Sequence, residues 1–198
     1  MFDCKLILAS SSVIRSQLLR NAGVKFEMIS PSVDEDKIRR ECAQIALTPE
    51  KTAEKIALEK AKSVAKKTSG EGVPILGIDQ ILVHQGKVLS KAPNLAELRK
   101  KLIRLRGEVH NLISAAAIIG YGTEPIFIVD SARLEMRNFS DDFLEEYLVK
   151  CGDQAIKSVG GYQLETEGIQ LFEKIEGDYF TILGLPLLSL LKQLRGSS

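Results

Sequence analysis

The segment Leu6 to Leu19, LILASSSVIRSQLL, limits the fold more than any other stretch of the chain. Leu6, Ile7 and Leu8 read as a short buried strand, and the apolar run then stops at Ser10, Ser11 and Ser12, residue types that cap helices by accepting from free N–H groups. The helix that follows carries Ile14, Leu18 and Leu19 on one face. A strand feeding a helix in this way opens an α/β layer. At the helix start, unpaired N–H groups, the positive end of the dipole, two or three hydroxyls and the Arg15 guanidinium converge on a small volume that suits an anion such as phosphate. A plainer reading leaves the serines as caps of a core helix and Arg15 in solvent, so the rest of the chain must decide.

The alternation of strands and helices continues. Val24 to Ile29 alternates like a strand and leads into Pro31 to Asp36, read as an acidic loop with metal-ligating residue types. Thr48-Pro49-Glu50 supplies a cap, a proline suited to the first helical position and an early acid. Ile56, Ala57, Lys60 and Ala61 then recur at helical spacing up to a break at Ser69-Gly70. Val73 to Val83 reads as a buried strand interrupted by Asp79 and Gln80, and Lys91 follows at the end of a hairpin. A helix opens at Asn94 and runs through Arg106; Leu112 to Gly120 and Phe127 to Met136 read as strands; Ser140 caps a helix to Lys150. Gly160-Gly161 and Gly177 punctuate a hairpin-like segment, and Leu185 to Leu194 closes the chain as a helix after the Gly184-Leu-Pro186 turn. No repeat or long linker divides the 198 residues, so the expectation is one domain over 1–198.

Composition narrows the chemistry. Lys and Arg number 27 against 26 acidic residues, so no global field draws nucleic acid, and aromatics at 6% supply no stacking platform for single strands. Cys4, Cys42 and Cys151 are far apart, without a CxxC pair, which suits a reducing cytoplasm. No apolar stretch approaches the roughly 18 to 20 residues of a membrane span, and no basic leader precedes an apolar core, so a soluble, unexported protein is expected. The chain has neither GxxxxGK[ST] nor a GxGxxG after a strand, which removes P-loop and dinucleotide-binding readings. Only His84 and His110 are present, so HExxH zinc chemistry is impossible and a serine hydrolase would rest on one of them.

Asp79 is the sharpest single signal. An unpaired carboxylate between Leu76 and Leu82 would cost several kcal/mol of desolvation, so it needs a partner. It reads as a general base, a ligand for a divalent cation, or a structural Asp at a bulge. Taken alone, Lys60, Lys91, Glu165 and Glu167 read as solvated charges.

Read together, these blocks resemble the Maf family of nucleotide pyrophosphatases over nearly the whole chain. The resemblance rests on Ser10-Ser-Ser-Val-Ile-Arg15, Leu18-Leu19, Gly23, Asp34-Glu35, Glu59-Lys60-Ala61, Gly77-Ile-Asp79 and Ser90-Lys91. The C-terminal blocks Gly160-Gly-Tyr162, Glu165-Thr-Glu-Gly168, Ile175-Glu-Gly-Asp-Tyr179 and Gly184-Leu-Pro-Leu187 complete it. It implies a two-lobed Maf/ITPase-like α/β fold with a mixed twisted sheet, flanking helices and a nucleotide-binding cleft between the lobes. It also implies a homodimer and hydrolysis of a nucleoside triphosphate to the monophosphate and pyrophosphate, with Mg²⁺, Mn²⁺ or Co²⁺. On the same basis Ser10, Ser12, Arg15, Lys60 and Lys91 would bind phosphates. Asp79 would be the catalytic base or, with Glu35, a metal ligand.

Asp79-Gln80 and Glu165 look like the branch acting on 7-methyl-GTP rather than the pyrimidine-preferring branches. A carboxylate at Glu165 suits guanine N1–H and its exocyclic amine, and its charge complements a methylated, cationic ring. Three departures from the family pattern matter, the first two for substrate choice and the third for the position of the Lys91 loop. Val13-Ile14 replaces a frequent Pro-Arg; Ile14 stands where the 7-methyl-GTP branch commonly has tryptophan, of which this chain has none; and Lys91-Ala92-Pro93 departs from Lys-Pro. The alternatives are the same reaction on dTTP or UTP, a nucleotide-binding regulator of cell division without turnover, and a metal-independent hydrolase using His110.

Overall fold

The computed structural model describes residues 6–68 and 72–196. Strand β1 (Leu6–Ala9) is followed by helix α1 (Val13–Asn21), β2 (Phe26–Ile29), α2 (Glu35–Gln44) and α3 (Pro49–Ala65). Next come β3 (Ile75–His84), β4 (Lys87–Leu89), α4 (Leu95–Leu105), β5 (Val109–Ile119), β6 (Ile126–Met136) and α5 (Asp141–Ala155). A 3₁₀ turn over Glu167–Leu171, then β7 (Phe172–Glu176), α6 (Tyr179–Ile182) and α7 (Leu187–Gly196) complete the chain. The strands form one seven-stranded sheet in the order β2-β1-β3-β5-β6-β7, with β4 paired to β3. It is mixed: β1 runs parallel to β2 and β3, while β3–β4 and β6–β7 are antiparallel. This is the expected α/β architecture with flanking helices.

Two expectations change. Pro31 to Asp36 is not all loop, because the Asp34 carboxylate accepts from Lys37 N at 2.9 Å and caps α2, which puts Glu35 and Asp36 in its first helical turn. The late segment is not a local hairpin: β7 pairs back onto β6, with Arg133 opposite Glu176 and Met136 opposite Phe172. The Ser69-Gly70 break and Cys4 lie outside the described residues. Among those residues no helix is long and apolar enough to cross a membrane.

The chain divides into two compact units. One comprises Met1–Gln80, Ile113–Asp130 and Tyr179–Ser198; the other Ile81–Leu112 and Ser131–Asp178. The first is built on Leu6, Leu8, Leu19, Leu76, Leu185 and Leu190, all buried in one apolar cluster. Each such side chain contributes about 1.5–3 kcal/mol on leaving water.

The second unit buries His110, whose Nε2 shares a 2.6 Å hydrogen bond with the Tyr162 hydroxyl. Burial, with a smaller push from His84, holds the ring down to about 4 against an ordinary 6.5. Below pH 6.5 the unfolded chain therefore takes up a proton that the folded chain refuses until about pH 4. Stability present above 6.5 is lost across that window, by up to about 3 kcal/mol. Urea unfolding between pH 7 and 4.5 should show this loss in the parent, and His110→Gln should flatten it. An unchanged slope in the variant would remove His110 as the cause.

Candidate active site

Helix α3 turns one face to the core, with Ala53, Ile56, Ala57, Lys60, Ala61 and Val64 buried at helical spacing. Lys60 sits within that stripe rather than in solvent, only 6% exposed. Gly77 explains how its helix comes so close to β3: a Cβ there would lie 2.0 Å from Ala57 O and 2.9 Å from Ala61 N. Any side chain at 77 would push α3 away and take the lysine with it.

The partner required by Asp79 is thereby supplied. Asp79 is 2% exposed, and its Oδ1 accepts from Lys60 Nζ at 2.7 Å. The same ammonium lies 2.7 Å from Glu35 Oε1 and reaches Ile78 O at 3.5 Å, so its three N–H groups face three acceptors. Burial pushes the Glu35 carboxyl up, but the charges and hydrogen bonds of Lys60, with Arg39 behind them, outweigh it and bring the group down to about 2. Asp79 Oδ2 is buried and has no hydrogen-bond partner among the described residues. A charged oxygen left in that state calls for a ligand, because a buried unsatisfied acceptor is costly.

The serine turn lies at the same edge of the sheet. The parallel register pairs Ala9 with Gly77, so the chain leaves β1 where β3 passes through Ile78 and Asp79. Ser12 is the N-cap of α1, its hydroxyl accepting from Arg15 N at 3.4 Å. Ser10 is buried, and its hydroxyl accepts from Ser12 N at 3.1 Å. Both serines thus have capping work, while Ser11 is exposed and Ile14 half-buried.

Arg15 is not in free solvent. Its Nε donates to Gly184 O at 2.8 Å and its Nη1 to Ile78 O at 3.1 Å. Burial pulls the guanidinium below its ordinary value against the opposing charges of Asp79 and Glu35. Gln80, next to Asp79, turns to the same C-terminal segment, its amide nitrogen donating to Thr181 O at 3.0 Å, Ile182 O at 2.9 Å and Ser114 Oγ at 3.2 Å. Ser114 Oγ donates in turn to Thr181 O at 2.8 Å. Arg15 and Gln80 therefore hold the carbonyls of residues 181, 182 and 184 against β3.

Asp79, Glu35, Lys60, Arg15, Ser10, Ser12, Ile14 and Gln80 all belong to the first unit, and the contacts above join most of them. Lys91, just past β4, and Glu165, just before the 3₁₀ turn, are exposed residues of the second unit. Ser114, Thr181 and the close approach at Gly77 have no counterpart in the sequence reading. Ser114 and Thr181 sit in an apolar strand and a short helix that carry no periodic signal for a polar partner.

A mixed sheet with a buried Asp79–Lys60 pair, joined by the half-buried Glu35 beside a serine-capped helix, defines an α/β protein with a polar site at the C-terminal edge of its parallel strands, where such sheets bind ligands. The chain belongs to the Maf-like protein family, whose model matches residues 5–197. It is 46% identical to the nucleoside triphosphate pyrophosphatase of Caulobacter vibrioides, across 95% of this chain and 93% of that one. It is 41% identical to the 7-methyl-GTP pyrophosphatase of Brucella abortus, across 96% and 95%. The Staphylococcus aureus Ham1 protein is similar in structure at a TM-score of 0.47 and 13% identity, covering 98% of this chain and 100% of that one.

Proposed function

We propose that this chain is a nucleoside triphosphate pyrophosphatase that cleaves the α–β phosphoanhydride of 7-methyl-GTP to give the monophosphate and pyrophosphate. The observation that carries this reading is the Asp79 carboxylate, fixed through Oδ1 by Lys60 and open at Oδ2. Water adds to the α-phosphorus as the bond to the bridging oxygen breaks, and the water proton needs an acceptor at that moment. In this reading Oδ2 takes it, because Lys60 keeps the carboxylate oriented while it is in use. The Ser10–Ser12 turn and the start of α1 offer hydroxyls and N–H groups to phosphate oxygens, and Arg15 and Lys60 add positive charge to the same edge. Lys91 supplies a further cation for the polyphosphate.

Oδ2 and the Glu35 carboxylate also suit a divalent cation such as Mg²⁺, Mn²⁺ or Co²⁺. Among the described residues no three carboxylate, imidazole or thiol groups make a closed cage. Two carboxylates with substrate oxygens and water completing the shell is a donor set that Mg²⁺ accepts. The cation would neutralise charge on the phosphates during transfer.

Pyrophosphate release from 7-methyl-GTP, GTP, dTTP, UTP and ATP with Mg²⁺ or Mn²⁺ tests the reading. The expected result is preferential turnover of 7-methyl-GTP, with Glu165→Gln raising its KM about 10- to 100-fold, the worth of a charge-assisted hydrogen bond. Turnover of dTTP or UTP in its place would keep the reaction and discard Glu165 as the base-reading residue. No turnover of any nucleotide would discard the enzyme.

A further inference from the structure

The second unit contains a lysine that neither the sequence reading nor the reaction accounts for. Lys101 lies on α4, and its ammonium faces backbone rather than an acid. Nζ donates to Val159 O at 3.0 Å and also to Ser90 O. Burial alone draws the group down to about 8, so the charge is held in that place by carbonyl dipoles and not by a counter-ion. An aliphatic side chain would pack there without that desolvation, which makes the two carbonyls the reason for a lysine.

The two carbonyls belong to segments of different character. Val159 opens a loop that is fixed from several sides. The Ser158 hydroxyl accepts from Gly161 N at 3.0 Å and Tyr162 N at 2.9 Å, and the Tyr147 hydroxyl donates to Gly161 O at 3.1 Å. Gly161, at φ +78°, lets the loop press on α4, since a Cβ there would come within 2.3 Å of Leu98 Cδ1. Ser90 is the residue before Lys91 and follows the short strand β4, whose three residues pair with the end of β3.

We propose that Lys101 is a positioning residue: it braces the Ser90–Lys91 turn against the fixed 158–162 loop, so that the Lys91 ammonium is held ready for a polyphosphate. This rests on the reading of Lys91 as a substrate contact. Lys101 itself touches no substrate in this account.

The test uses the full chain with Lys101→Met, which keeps length and loses the donors, and Lys101→Arg, which keeps charge and donors. Hydrogen exchange of peptides covering 88–93 should be about tenfold faster in Lys101→Met, with exchange elsewhere unchanged, and near the parent rate in Lys101→Arg. KM for the nucleoside triphosphate should rise about tenfold in Lys101→Met with kcat within about twofold, and the same substitution should add little in a Lys91→Ala background. Lys101→Gln, which retains two uncharged N–H donors, gives an intermediate reading should the methionine variant fold poorly. Unchanged exchange at 88–93 overturns the brace. A raised KM in Lys91→Ala but not in Lys101→Met overturns Lys101 while keeping the reading of Lys91. Faster exchange with KM unaltered in both variants overturns the positioning role by removing Lys91 from substrate binding, and leaves the pyrophosphatase reading to be judged on the nucleotide panel.

Discussion

Asp79→Asn is expected to lower kcat for pyrophosphate release about 10²- to 10⁴-fold, the usual worth of a positioned proton acceptor, while leaving the fold intact. The substitution conserves shape, and the amide oxygen can still accept from Lys60 Nζ where Oδ1 does now, at 2.7 Å. What disappears is the charged, unpartnered Oδ2, replaced by a nitrogen that neither takes a proton nor binds a cation. The loss should therefore appear in kcat far more than in KM, and thermal unfolding should move little. Pyrophosphate release measured over a substrate series with Mg²⁺ and with Mn²⁺ reads both. A variant that keeps kcat within tenfold of the parent would mean that neither role belongs to Asp79, and the open oxygen would need another explanation.

Lys60→Met should have the largest effect on stability. The ammonium stands between Asp79 Oδ1 and Glu35 Oε1, each 2.7 Å away, and Asp79 is almost wholly buried. Removing the cation leaves both oxygens of a buried carboxylate without a partner, and breaking buried pairs in this one-sided way costs about 3–5 kcal/mol. Glu35 suffers less, because Arg39 remains 2.9 Å from its other oxygen and the group is partly solvated. Urea unfolding of the single variants and of Lys60→Met with Asp79→Asn tests the account. The double variant should be more stable than the sum of the two single losses predicts, since the uncompensated charge is gone from it. A cost below about 1 kcal/mol for Lys60→Met would show that the pair is not what holds Asp79 in the sheet.

The parts of this arrangement that could be read from the chain are those with a local signature. The strand, serines and helix of 6–21 follow from an apolar run and a cap, and Asp79 announces itself by interrupting a buried strand. Lys60 is a partial case. Helical spacing places it on the apolar side of α3, but spacing cannot say that an ammonium there has two carboxylates to meet, and taken alone it reads as solvated. The family resemblance, not the periodicity, points to it as a site residue.

Other features have no local signature at all. Gly77 gives no hint in sequence that a helix backbone will lie against it. Gln80 looks like a residue that selects a base, yet its amide is committed to carbonyls a hundred residues away in α6, and no pattern of side chains forecasts a bond to backbone. Glu35 reads as a loop residue because Pro31 to Asp36 is polar and α2 buries only Cys42, so the Asp34 cap is the one local mark of the helix start.

The bond from Arg15 to Gly184 spans 169 residues, whereas the strand, serine cap and helix that carry Arg15 are complete within the first few tens. During synthesis the early elements can form as they emerge, but the guanidinium has no Gly184 carbonyl to hold until residue 184 has left the ribosome. Closing so long a loop carries a large entropic cost that is recovered only when the last contacts form. Assembly of this edge is then a late event in folding, and a nascent or truncated chain lacking α6 would carry Asp79 and Arg15 without the frame that orients them.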